Sequence, residues 1–303
     1  MNNYKIIIAP NTDYYKSIEY CFGKNNIVTL KPDEKIKKIR EKAKNISTAE
    51  SIIFYRLIGV NDIIFNMLPR KIKKYVIFPY SITELSDPVK MNELLLILRY
   101  KNMNFIEDVY CLENTTYKLF KEKYDFKFLQ LDMEISEENN NQDSSSIGVI
   151  TNYNNYYDTI MNELSAITLT VNNYVRIHKP IKSVKSFCKR FKIKIIPEKS
   201  PSQAIKNNNI NLYINFTDTC YTYILESMDQ GIPCIVGNTD FFDSNEYLKK
   251  HLVVNSDDDI DEMKEKIEFA IKNKKQIIKN YQEFRKKYKK NAQENLKKLK
   301  EKL

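Results

Sequence analysis

Short apolar runs rich in β-branched and aromatic residues alternate with stretches of helical period along this chain, and that alternation limits the fold more than any other feature. Strand, helix and strand in repetition bring each new strand in parallel to the last, because the crossover helix returns the chain to the same end of the sheet. The first 131 residues predict strands at 4–9, 27–30, 51–57, 75–79, 105–112 and 126–131. Helices are predicted between them at 14–22, 33–44, 60–67, 89–101 and 113–124. Glu134 to Ser146 (EISEENNNQDSSS) then has almost no apolar residue and reads as a linker. A second series follows, with strands at 147–151, 173–177, 194–197, 212–216, 233–236 and 252–254 and helices at 159–170, 181–191, 202–207, 223–230 and 260–271. The expected fold class is therefore α/β, with two Rossmann-like domains at 1–133 and 147–271 facing a cleft and joined by the linker at 134–146.

Residues 272–303 stand apart. Their apolar residues, Ile277, Tyr281, Phe284, Tyr288, Ala292, Leu296, Leu299 and Leu303, recur in steps of three and four and mark one face of a long helix. The segment holds 13 Lys/Arg against 3 Asp/Glu, so it accounts for the whole net charge of +10 and the rest of the chain is neutral. A nucleic-acid-binding groove would spread basic and aromatic residues over the folded body, so nucleic acid is an unexpected partner. The lysines form a solvated face or meet an anionic membrane surface. No apolar run approaches the roughly 18 residues of a membrane span. The five cysteines, without a CxxC pair, suit reduced thiols in the cytoplasm. No metal-ligand spacing is present, and the five glycines form no G-x-G-x-x-G, which sets aside a nicotinamide-dependent dehydrogenase.

The segment most informative about chemistry is 211–238, NLYINFTDTCYTYILESMDQGIPCIVGN. It reads as a buried strand, a loop from Thr217 to Thr222, a short helix, a Gly231 C-cap, a Pro233 stop and a further strand. Loops at the carboxyl ends of parallel strands are where α/β sheets bind ligands. A helix starting there turns backbone N–H groups and a partial positive charge toward the ligand, and so suits a diphosphate. Asp218 in the loop and Glu226 in the helix lie eight positions apart and could border one ligand.

These residues resemble the E-x(7)-E region of retaining GT-B glycosyltransferases of the family-4 type. The match runs through Thr217-Asp218-Thr219-Cys220, Ile224-Leu225-Glu226-Ser227 and Gly231-Ile232-Pro233-Cys234-Ile235-Val236-Gly237-Asn238. It lies in the C-terminal half; the first domain is similar only in architecture. The resemblance implies a sugar moved, with retention, from a UDP- or GDP-type nucleotide sugar to a glycan, lipid-linked or protein acceptor. It implies no cofactor beyond the nucleotide sugar, which is a substrate. Asp218 would contact the donor sugar as the catalytic acid residue of the pair, and Glu226 the ribose hydroxyls. Backbone N–H groups of Thr222, Tyr223 and Ile224 would hold the diphosphate. Pro197 and Glu198 would border the base, and Thr151 and Asn152 would face the phosphates.

The chain departs from the pattern at three places. Asp218 is one methylene shorter than the usual Glu; Thr219, Cys220 and Tyr221 stand where glycines are common; and the loop 153–158 (YNNYYD) carries no cation. Each charge-assisted hydrogen bond to a diphosphate is worth roughly 1.5–3 kcal/mol, so the last departure opens a second reading, a GT-B protein that no longer transfers sugar and serves as a partner or scaffold subunit. Asn11, Thr12 and Asp13, after the first strand, sit where the first domain would face the cleft, or cap the following helix.

Overall fold

The computed structural model describes residues 3–10, 12, 14–134, 148–152, 174–178, 182–190, 192, 204, 210–215, 221–237, 239–255 and 259–303. The chain forms two compact units, one made of Met1–Glu134 with Tyr288–Leu303 and the other of Ile135–Lys287.

The first unit is built on a six-stranded sheet: β1 (Tyr4–Ile8), β2 (Ile27–Thr29), β3 (Ser51–Tyr55), β4 (Lys73–Phe78), β5 (Asp108–Cys111) and β6 (Lys127–Phe128). The order is β2-β1-β3-β4-β5-β6 and every pair is parallel. Ile53 on β3 faces Ile6 of β1 and Tyr75 of β4. All five residues of β3 are buried, as are Ile6, Ile7 and Ile8. Such unbroken apolar runs are what a parallel strand needs when helices cover both of its faces. The crossovers are α1 (Tyr15–Phe22), α2 (Ile36–Ile46), α3 (Val60–Met67), α4 (Pro88–Asn102) and α5 (Asn114–Tyr124).

Local chemistry sets the helix ends. Asp87 caps α4 by accepting a hydrogen bond from the Val89 N–H at 2.8 Å, and Pro88 fills the first helical position, where its missing N–H costs nothing. Asp125 closes α5 in the left-handed region at φ 52° and donates its N–H to the Lys121 carbonyl. The strand predicted at 105–112 shortens for the same kind of reason. Asn104 at φ 56° and the bond from Phe105 N–H to the Tyr100 carbonyl make the closing turn of α4, so β5 begins at Asp108 and not at 105.

In the second unit the described strands are β7 (Gly148–Asn152), β8 (Tyr174–His178), β9 (Leu212–Asn215) and β10 (Cys234–Val236), in the parallel order β10-β9-β7-β8. Helices α6 (Lys182–Arg190), α7 (Tyr221–Met228), α8 (Glu246–Leu252) and α9 (Ile260–Lys272) accompany them. The strand expected at 252–254 reduces to one bridge between Val253 and Val236, because Leu252 is still the last residue of α8. The helices predicted at 159–170 and 202–207 and the strand at 194–197 lie outside the described residues, Ala204 excepted.

The terminal helix, α10 (Lys274–Lys300), belongs to both units. Ile277, Tyr281 and Phe284 are buried within the second, and Tyr288, Ala292, Leu299 and Leu303 within the first, so the predicted stripe is taken up by the body of the protein. Asp229 anchors the first half, accepting from the Tyr281 hydroxyl at 2.5 Å and from Arg285 Nε at 3.0 and 3.1 Å. The far end is tied by Lys302 Nζ to Asp108 at 2.6 Å, the Tyr75 hydroxyl to the Lys302 carbonyl, and Ser51 Oγ to the Leu303 carbonyl. Leu299 is wholly packed there, and truncating a buried leucine costs about 2–5 kcal/mol. Leu299→Ala should therefore lower the urea midpoint of unfolding followed by far-ultraviolet circular dichroism; an unchanged midpoint would show that the helix end contributes no packing energy.

Candidate functional site

The order β10-β9-β7-β8 means that the chain leaves β7 toward β8 on one side and returns across β7 to β9 on the other. The crossover direction therefore reverses between β7 and β9. At such a point the helices diverge to opposite faces and leave a crevice beyond the carboxyl ends of the strands. Thr151 and Asn152 are the last residues of β7, Asn152 in register with His178 of β8, so both expected phosphate-facing positions lie at that edge.

The unit that follows β9 is well determined by its sequence. Leu212, Tyr213 and Ile214 are wholly buried. The eight residues of α7 span about 12 Å, which matches the return distance needed alongside a four-residue strand. Its C-terminus is a Schellman motif: Gly231 at φ 74° donates to the Met228 carbonyl, and Ile232 N–H donates to the Ser227 carbonyl at 3.1 Å. Ser227 Oγ adds a bond to the Ile232 carbonyl at 2.9 Å, and Pro233 leads into β10. Because α7 ends at the amino end of β10, its start lies on the carboxyl side of the sheet, where the dipole faces the crevice.

Every residue of α7 except Tyr223 is buried, Glu226 at 3% exposure and Thr222 at 2%. The helix begins at Tyr221, two residues earlier than the sequence pattern predicts. Two contacts explain the difference: the Tyr221 hydroxyl meets the Asp240 carboxylate in a short hydrogen bond, and its ring packs on Phe241 at 4.9 Å. Thr222, Tyr223 and Ile224 thus all fall in the first turn. Glu226 is four residues after Thr222 and three after Tyr223, so these three share one helix face, and helical side chains lean back toward the N-terminus. Ile224 lies off that face and could offer a ligand its backbone only. A buried carboxylate is costly without hydrogen-bond partners, so Glu226 at this depth is a specific feature and not a solvated surface acid. Asp218, Pro197 and Glu198 lie outside the described residues.

Sequence reasoning missed Thr239 and Asp240, which follow β10 on the same side of the sheet. Thr239 Oγ1 accepts from Phe241 N–H at 3.3 Å, and Phe241 and Phe242 both pack on Phe284 of α10, at 5.3 and 5.5 Å. The one available signal was an acid two residues beyond the Gly237-Asn238 pair. Cysteine nucleophiles do not suit the described part of the site: burial pushes the Cys188 thiol up to about 11 and the Cys234 thiol well above its ordinary value, so both stay protonated at neutral pH. Among the described residues no group of three His, Cys, Asp or Glu side chains could hold a metal ion, and no helix is long and apolar enough to cross a membrane.

No protein-family model and no curated protein matches the chain by sequence. Solved structures do match it along nearly its whole length. A glycosyltransferase from Rickettsia africae superposes with a TM-score of 0.60 at 12% identity, covering 99% of this chain and 98% of that one. UGT89C1 of Arabidopsis thaliana in complex with UDP gives 0.54 at 11% identity over 97% and 91% of the two chains, and the same enzyme in complex with quercetin gives 0.53 at 11% over 98% and 90%. The fold is that of these glycosyltransferases, the GT-B type, with two Rossmann-like units in one chain and a long terminal helix.

Gly231 is the position on which the geometry of α7 can be tested without touching the crevice. A β-carbon at φ 74° is strained, and Gly231→Ala should cost about 1 kcal/mol. A thermal midpoint equal to that of the wild type would mean that the turn is not held in the left-handed conformation.

Proposed function

We propose that the chain is a retaining glycosyltransferase that uses a UDP- or GDP-type nucleotide sugar. The observation that carries this reading is the first turn of α7 at the reversal point of the second sheet, with Glu226 buried on the face shared by Thr222 and Tyr223. The fold likeness supports it, and so does the UDP complex of one structural neighbour.

On this reading the diphosphate lies against the start of α7, with backbone N–H groups of Thr222, Tyr223 and Ile224 as donors and Thr151 and Asn152 across the crevice. Glu226 accepts hydrogen bonds from the ribose hydroxyls, Pro197 and Glu198 border the base, and Asp218 orients the donor sugar. The bond between the anomeric carbon and the diphosphate oxygen breaks as the acceptor hydroxyl oxygen bonds to that carbon on the same face. The hydroxyl proton passes to the departing diphosphate. The protein's part is positioning and stabilisation of the charge that develops on the leaving group, for which the helix start supplies fixed dipoles in place of a cationic loop. The acceptor is a glycan, a lipid-linked sugar or a protein. The site of action is the cytoplasm or the inner face of the membrane, where the exposed lysines of α10, Lys286, Lys287, Lys289, Lys290, Lys297 and Lys298, would meet anionic lipid. With the apolar stripe already buried, such contact is electrostatic and salt-sensitive.

Calorimetry with UDP and GDP tests the reading. One of them should bind, and Glu226→Gln, checked for an unchanged fold by circular dichroism, should weaken it by about tenfold or more, the equivalent of one lost charge-assisted hydrogen bond. Asp218→Asn should keep nucleotide affinity and lose transfer. Failure of every nucleotide to bind would overturn the enzyme reading and leave the scaffold subunit that the cation-free loop at 153–158 suggests.

A further inference from the structure

The first unit has its own reversal point. In the order β2-β1-β3-β4-β5-β6 the chain goes from β1 out to β2 and returns across β1 to β3, so the crevice rule applies between β1 and β3. A cavity of about 260 Å³ lies there, walled by Leu30, Pro32, Ile58 and Val60 and carrying Thr12 and Arg56. Pockets for whole drug-sized ligands run to about 300–1,000 Å³, so this one suits a single group of a larger molecule.

Its polar inventory is one-sided. Arg56 follows β3 with φ 66°, a conformation that strains a non-glycine residue and is kept only where surrounding bonds enforce it. Those bonds are present. Arg56 N–H donates to the Ile77 carbonyl at 3.0 Å, and Asn61 Nδ2 donates to the carbonyls of Tyr55 and Arg56 at 3.0 and 3.1 Å. The guanidinium lies over the Tyr80 ring at 4.9 Å and beside the buried Glu93. Glu93 is occupied elsewhere by short bonds, from Leu57 N–H at 2.6 Å and the Tyr80 hydroxyl at 2.9 Å. Arg56 Nε and Nη2 donate to Glu93 Oε2 at 3.4 Å, near the upper limit for a hydrogen bond, so Glu93 orients the guanidinium through a long ion pair in which Nη1 takes no part. Thr12 Oγ1 is buried and makes no hydrogen bond to any described residue. The N–H groups of Gly59 and Val60, at the start of α3, donate to no described residue either; the next amide, Asn61, already bonds to the Ile58 carbonyl. Gly59 has φ 59° and ψ −122°, which suits glycine and sets this start of the helix. The cavity is thus lined by a guanidinium paired at 3.4 Å with Glu93, the backbone of Gly59 and Val60 and a hydroxyl in apolar walls, and its described lining residues include no carboxylate.

We propose that this cavity binds an anionic group, a carboxylate or a phosphate, with Arg56 as its recognition residue and the Gly59 and Val60 amides and Thr12 hydroxyl completing the donor set. The anion site is argued from the first unit alone. That the anion belongs to the sugar acceptor rests on the transferase reading above, and it narrows the acceptor to an acidic one.

Nitrogen NMR of the full chain, following the Arg56 Nε–H signal assigned by its loss in Arg56→Lys, tests the site with three probes: glucose, glucuronate and glucose 6-phosphate. At least one of the two acids should shift the signal at concentrations where glucose leaves it in place, and the stronger of them identifies carboxylate or phosphate as the group. Arg56→Gln should weaken binding of that acid by about tenfold or more, with UDP or GDP affinity unchanged. Equal shifts from glucose and the acids, no shift from either acid, or an Arg56→Gln protein that binds as tightly as the wild type would each overturn the proposal. If Arg56→Gln does not fold, the comparison of probes on the wild type decides alone. A responding Arg56 in a protein that binds no nucleotide would keep the anion site and remove its assignment to an acceptor.

Discussion

Both units depend on the same constraint: a parallel sheet wound right-handedly must change direction once if both of its faces are to be covered. The change falls between β1 and β3 in the first unit and between β7 and β9 in the second. Buried strand residues such as 51–55 and 212–214 are mostly apolar and packed into the core. What chemistry there is must come from the loops and helix starts at the carboxyl edge, where backbone donors and the ends of dipoles gather. Thr151, Asn152 and the first turn of α7 occupy that edge in one unit, and Thr12, Arg56 and the start of α3 occupy it in the other.

Much of this was legible in the sequence because the signals were strong and local. Ile-Ile-Ile after Tyr4, Ile-Ile-Phe-Tyr after Ser51 and the Gly231-Ile232-Pro233 turn say strand, strand and helix end with little competition. The strand at 51–57 ran two residues long because nothing in Arg56 or Leu57 announces a positive φ; that conformation comes from Ile77 and Asn61, which are remote in sequence or outside the strand. The sequence pattern opens α7 two residues late for a similar reason. Tyr-Thr-Tyr is a poor helix opening by propensity, and the partners Asp240 and Phe241, distant in the pattern, help to hold Tyr221 in the helix. Arg56 as a recognition residue could not be read at all, since a lone arginine after a strand is ordinary until Tyr80, Glu93 and the cavity walls are seen around it.

The burial of the terminal stripe changes what the lysines of α10 can mean. An amphipathic helix with its apolar face open would insert into a bilayer; one with Tyr281, Phe284, Tyr288 and Leu299 packed inside the protein offers only charge. The +10 of the chain is thereby a surface field on a folded element, not an unattached basic tail.

The division of α10 between the units also has a consequence for how the protein is made. The first unit contains Met1–Glu134, yet Ser51, Tyr75 and Asp108 on its three central strands take their partners from Lys302 and Leu303. Those partners are synthesised only after the whole of the second unit. A ribosome therefore holds the first unit incomplete for more than half the length of the chain, and its last contacts close after the second unit has emerged. The bonds of Ser51, Tyr75 and Asp108 to the chain end thus join the earliest and the latest residues made.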